Sequence, residues 1–120
     1  MTKKILIATL AVLLVLPLTT FARPSAENSD VEADALLTAL SPAIGHAISG
    51  YYGQPRLYGL YDAKILKIER VNEGGYAFNV TVQVKTFVGP HNPPFGIETI
   101  TLAVSPGSTL VAKFQHEDQK

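Results

Sequence analysis

The chain has no cysteine and no tryptophan, and its one methionine is Met1. Without cysteine there are no disulfide staples, thiolate metal sites, cysteine nucleophiles or cysteine-linked lipids. Packing and hydrogen bonding must hold the fold unaided. A basic run is also missing: ten Lys and Arg balance ten Asp and Glu for a formal net charge of zero. That argues against nucleic acid and against an anionic membrane surface as partners. No apolar stretch long enough to cross a bilayer follows residue 22, and there is no internal repeat or low-complexity tract. The G-x-S-x-G elbow of a serine hydrolase and the H-E-x-x-H and H-x-H spacings of metal sites are absent too.

The residues that are present begin with a targeting signature. Lys3 and Lys4 precede an almost unbroken apolar run at 5–18, and small residues stand at Thr20 and Ala22. A spanning helix needs about 20 apolar residues; this run has 14, with Pro17 near its end. The pattern predicts a signal peptide over 1–22, cleaved after Ala22, and export to the medium or the cell-wall space without stable membrane insertion. Removing it leaves eight basic against ten acidic side chains, a net charge of −2. Residues 23–28 read as a short disordered lead-in, and 29–120 as a single domain.

Ser29-Asp30-Val31-Glu32 has the form of a helix capping box. Leu36, Leu40, Ile44, Ile48 and Tyr52 then recur every fourth residue, the stripe of an amphipathic helix. Pro42 interrupts the stripe without shifting its phase, so one kinked helix or two nearly collinear ones fit, ending at Gly50 and Gly53. A short extended piece fits 56–60, and a strand fits 62–70 with Leu66 and Ile68 on one face. Asn72-Glu73-Gly74-Gly75 makes a hairpin turn. The clearest strand comes next, with Tyr76, Phe78, Val80, Val82 and Val84 alternating against Asn79, Thr81, Gln83 and Lys85. Residues 89–96 read as a stiff loop. Two more strands succeed it, with Ile100, Leu102 and Val104, then Leu110, Ala112 and Phe114, facing inward, before a polar tail at 117–120. The predicted architecture is α+β: an N-terminal helix on a three- to four-stranded antiparallel meander, cystatin-like in shape. That likeness of shape carries no function. Gln83-Val84-Lys85-Thr86-Phe87 does not match the Gln-x-Val-x-Gly hairpin of the cystatin inhibitors.

Three stretches resemble a bacterial family, domain of unknown function 3888. They are Asp34-Ala35-Leu36-Leu37-Thr38-Ala39-Leu40-Ser41-Pro42 running on to Tyr51-Tyr52-Gly53, then Leu60-Tyr61-Asp62-Ala63-Lys64, then Gly89-Pro90-His91-Asn92-Pro93-Pro94-Phe95-Gly96-Ile97-Glu98-Thr99. The resemblance spans nearly all of the chain after residue 22. It implies a small exported protein of spore-forming Gram-positive bacteria with no established activity, and it supplies no catalytic residues.

Three prolines and two glycines in residues 89–96 restrict the backbone, so the loop loses little entropy on binding. Its contact groups are His91, Asn92, Pro93, Pro94 and Phe95. Arg56, Tyr58 and Tyr61 add an aromatic and cationic patch of the kind found at peptide and glycan interfaces. The same residues also fit a hairpin connection and the rim of a small core. The functional expectation is a non-enzymatic binding module for a protein, peptide or glycan outside the cell, with no cofactor and no metal. The alternative is a small cell-envelope hydrolase or metal-dependent enzyme centred on His91 with Asp62 or Glu98. His46, His91 and His116 are the three histidines, and they are far apart in sequence.

Overall fold

A computed structural model describes residues 26–120, so the predicted signal peptide and residues 23–25 lie outside the described residues. One helix, α1 (Ala26–Tyr52), is followed by β1 (Leu57–Tyr58), β2 (Lys64–Arg70), β3 (Phe78–Val88), β4 (Asn92–Ser105) and β5 (Ser108–Gln119). The sheet is antiparallel throughout. β4 lies between β3 and β5, while β1 and β2 pair in succession along the other edge of β3. The expected α+β meander is therefore present, with a fifth strand because the edge is built in two pieces. No described helix is long and apolar enough to cross a membrane.

The helix is single. It begins at Ala26, ahead of the expected cap at Ser29, and it runs through Pro42 and Gly50 to Tyr52. Gly53, at φ 72°, closes it by donating its N–H to the Ser49 carbonyl at 2.8 Å. An internal proline costs about 3 kcal/mol. Burying Leu40, Ile44 and Ile48 on one stripe is worth about 1.5–3 kcal/mol each, so continuity outweighs the break. Tyr58 also braces this point: its hydroxyl donates to the Ser41 carbonyl at 3.0 Å and accepts from Ser41 Oγ at 2.7 Å.

The core is Leu37, Leu40, Ile44 and Ile48 of the helix against Val80, Val82 and Val84 of β3 and Ile100 and Leu102 of β4. The opposite face is part-buried and polar, with Thr81 bonded to Thr101 at 3.2 Å and Gln83 to Thr99 at 3.4 Å. The one-sided burial expected from the alternation of β3 is observed through Val84, beyond which Phe87 is also buried, on the opposite face.

Bulges and edge positions correct several of the expected inward residues. In β2 the register slips between Ile65 and Lys67, leaving Leu66 as the extra residue and 50% exposed. Ile68 does pair opposite Val80, but on the sheet edge it stays 53% exposed. In β5 the slip falls at Ala112, so Val111 takes the place opposite Leu102 and Leu110 turns outward. Tyr76 precedes β3 and is exposed. The tail expected at 117–120 is instead strand as far as Gln119, paired with Phe95.

The 89–96 segment is a second correction. Only Gly89, Pro90 and His91 form a turn, and β4 starts at Asn92. Pro93 and Pro94, joined by a cis bond, fall in the stretch between Val88↔Asn92 and Thr86↔Gly96 where the ladder is irregular. No N–H is needed there, which is where a sheet tolerates proline.

Core truncation should separate these assignments. We expect Ile44→Ala to cost about 2–5 kcal/mol and Leu66→Ala to stay within about 0.5 kcal/mol, read by urea unfolding. Equal losses would contradict the bulge.

Candidate functional site

The turn from β3 to β4 presents His91 in the left-handed region, at φ 62°, with Gly89 at φ 54° before it. Such a conformation in a non-glycine residue persists only where its surroundings over-determine it. Three contacts do so here. The His91 N–H donates to the Gly89 carbonyl at 2.9 Å. The imidazole stacks on Phe87 with centroids 4.2 Å apart. Its Nδ1 lies 3.2 Å from the Tyr61 hydroxyl.

These groups form one wall of a cleft lined by Tyr61, Asp62, Lys85, Phe87, His91 and Phe95. Lys85 and Phe87 alternate with Val84 and Thr86 along β3, so the cleft opens on the sheet face away from the helix. The Lys85 ammonium sits 4.3 Å above the Phe95 ring. Asp62 Oδ1 is shielded from solvent and has no hydrogen-bond partner.

Of the residues singled out by sequence, Tyr61, Asp62, His91 and Phe95 converge on this cleft. Asn92, Pro93 and Pro94 are exposed beside it. Tyr58 does not join them, because its hydroxyl is bonded to Ser41. Arg56 lies over the Tyr52 ring at 4.3 Å and donates to the Pro94 carbonyl. It ties the end of the helix to the start of β4. Lys85 and Phe87 are cleft residues that the sequence pattern does not single out. Their signal is position: they are the outward residues of β3 next to the turn.

A second cluster, on the helix-covered face, takes Glu98 away from His91. Glu98 is fully buried. Its Oε2 accepts from the Tyr52 hydroxyl at 2.5 Å and from Thr86 Oγ1 at 2.7 Å, and its Oε1 accepts from His116 Nδ1 at 2.5 Å. His116 Nε2 lies 2.7 Å from Asp118 Oδ1. Both ring nitrogens therefore face carboxylate oxygens, which only accept, and the doubly protonated imidazolium satisfies both. The bond to Glu98 pushes the His116 pKa above its usual 6.5; burial pulls it down, and Asp118 adds to the rise. Burial also raises the Tyr52 pKa above its usual 10, and the bond to Glu98 reinforces this. Tyr51 stacks on His116 at 5.0 Å and on Phe114 at 4.9 Å, covering the cluster from the helix. Gly96 makes room for it. A Cβ there would fall 2.6 Å from Glu98 Oε2, 2.7 Å from the Tyr52 hydroxyl and 2.8 Å from Thr86 Oγ1.

His46 is exposed on the helix, so the three histidines occupy three separate places. Among the described residues, no group of three or more His, Asp and Glu is arranged to hold a metal ion.

The model of the DUF3888 family, described as a protein of unknown function, matches residues 33–118, and the chain belongs to that family. No curated protein and no solved structure matches it.

The buried cluster makes stability depend on pH with a definite sign. Because the folded pKa of His116 is raised, its contribution is fully present below the unfolded value of 6.5 and is lost as pH rises through the folded one. Melting temperature should therefore fall over that window, with Glu98, Asp118 and Tyr52 as the groups facing the imidazole. His116→Gln should flatten this part of the profile; a steep fall retained in the variant would contradict the assignment. Gly96→Ala should cost about 1–3 kcal/mol or more by overpacking, whereas Gly107→Ala, with open space around its Cβ position, should not. Urea unfolding of the pair reads the difference.

Proposed function

We propose that this DUF3888 protein is an exported, non-enzymatic binding module whose ligand sits in the cleft beside the β3–β4 turn. The apolar run at 5–18 followed by Thr20 and Ala22 supports export and cleavage near Ala22, and the family resemblance implies a Gram-positive bacterium, so its place of work is the medium or the cell-wall space. The observation that carries the binding assignment is His91. It holds a left-handed backbone at a cleft mouth, where a glycine would serve the turn with less strain. The stack on Phe87 and the bond to Tyr61 fix the imidazole in place before any ligand arrives. A site held rigid in this way loses little entropy on binding.

The remaining cleft groups suit recognition. An aromatic wall with an ammonium and a carboxylate beside it offers a ligand both stacking surface and polar contacts. Glu98 is committed to His116, Tyr52 and Thr86, which leaves Asp62 as the carboxylate that shares the cleft with His91.

His91→Gly tests the reading. The backbone strain is relieved while the ring is lost, so stability should change by no more than about 1 kcal/mol. Retention of the purified protein on insoluble Gram-positive cell walls, measured by co-sedimentation, should drop severalfold or more. Undiminished retention by a variant with unchanged melting would overturn the assignment.

A further inference from the structure

We propose that the ligand of this cleft is a neutral, hydroxyl-rich ring, a saccharide unit of a glycan; the inference rests on the binding reading above. Charge is the first argument. Asp62 and Lys85 line the same cleft, so a bare anion meets the carboxylate and a bare cation meets the ammonium. Among the described residues neither side chain is in an ion pair. The occupant that suits both carries donors and acceptors close together and no net charge. Vicinal hydroxyls meet that requirement, donating to the carboxylate and accepting from the ammonium.

The unpartnered oxygen is the second argument. A buried acceptor without a donor is costly, more so when charged, and native folds seldom leave one so. Asp62 Oδ1 is such an acceptor, in the wall of a cleft. Asp62 lines the cleft, so a rotation of its carboxylate presents that oxygen to a donor entering there.

The third argument is the Tyr61 ring. It is 75% exposed, yet it is held from two sides. Its edge lies against Gly59, where any Cβ would collide with it, and its hydroxyl is tied to His91. An exposed aromatic face that is already immobilised presents a flat apolar platform without further ordering cost. A pyranose ring offers the matching surface, with polar hydroxyls around its rim and a C–H face above and below. A peptide segment would not need a carboxylate, an ammonium and an aromatic platform in one cleft.

The test uses N-acetylglucosamine tetramer as the soluble probe, titrated by calorimetry and used to compete the protein off insoluble cell walls. Saturable binding and competition are expected. Asp62→Asn, which keeps the shape but replaces an acceptor oxygen by a donor, should weaken binding about tenfold or more. Tyr61→Phe keeps the platform but cuts its tie to His91 and should weaken binding severalfold, whereas Tyr61→Ala should lose it altogether while melting stays in place. If the tetramer neither binds nor competes while wall retention remains sensitive to His91→Gly, the saccharide reading falls and the binding module stands. Competition by the zwitterionic dipeptide D-alanyl-D-alanine in place of the sugar would overturn it in favour of a peptide terminus. Tetramer binding that is equal in wild type, Asp62→Asn and Tyr61→Ala would overturn it as well. Loss of wall retention altogether would remove the reading beneath it.

Discussion

A carboxylate with no exposure to water constrains everything at one end of this molecule. Removing such a group from solvent is expensive unless its oxygens are hydrogen-bonded and its charge is balanced. Glu98 meets both conditions with donors from three elements besides its own: Tyr52 of α1, Thr86 of β3 and His116 of β5. The imidazolium, held between Glu98 and Asp118, supplies the balancing charge. Because each donor must stand at a short distance from the same two oxygens, the cluster sets where the helix ends and where β5 lies. Gly96 obeys the same constraint, since a side chain there would occupy the space of the hydrogen bonds.

The cleft lies on the other face of the sheet at this end, and the two are joined through the backbone of β3. Thr86 points to the buried carboxylate, while its neighbours Lys85 and Phe87 form the cleft. Arg56 makes a second link. Its guanidinium covers Tyr52 and reaches the carbonyl of Pro94, just ahead of Phe95. The cleft wall is therefore backed by a cross-linked polar cluster in a protein that has no disulfide. Such support preorganises the cleft for the binding role proposed for it, since preorganised groups lose less freedom when a ligand arrives.

Much of this is legible in the residues, and the failures have specific physical causes. The four-residue recurrence from Leu36 to Tyr52 predicts the helix and its buried face, since that spacing has one geometric meaning. The alternation through Val80, Val82 and Val84 predicts a sheet with one covered face. Leu66 and Leu110 fall on the wrong face in a simple alternation because a bulge inserts one residue and reverses the parity of its neighbours, and no residue type marks it. The prolines near 93 read as a loop because they cannot donate, but strand pairing needs no donor at an irregular stretch of ladder. Glu98 suits His91 as a partner only while the sheet faces are ignored. The same two-residue count that places Ile100 and Leu102 inward also places Glu98 inward, so its true side is readable from the residues. Its partner His116 shares a face with Phe114 by the same count.

Periodicity and composition dictate the order of elements, the buried stripe of the helix, the covered face of β3 and the absence of any covalent cross-link. These are local properties of the chain, and each can be read from a short segment. Which polar groups meet is a matter of the folded molecule. Glu98 and His116 are brought together by the register of β4 against β5, and Tyr61 and Asp62 reach His91 because β1 and β2 run in succession along one edge of β3. Register and edge placement arise from packing between distant segments, so they leave no mark within any one of them.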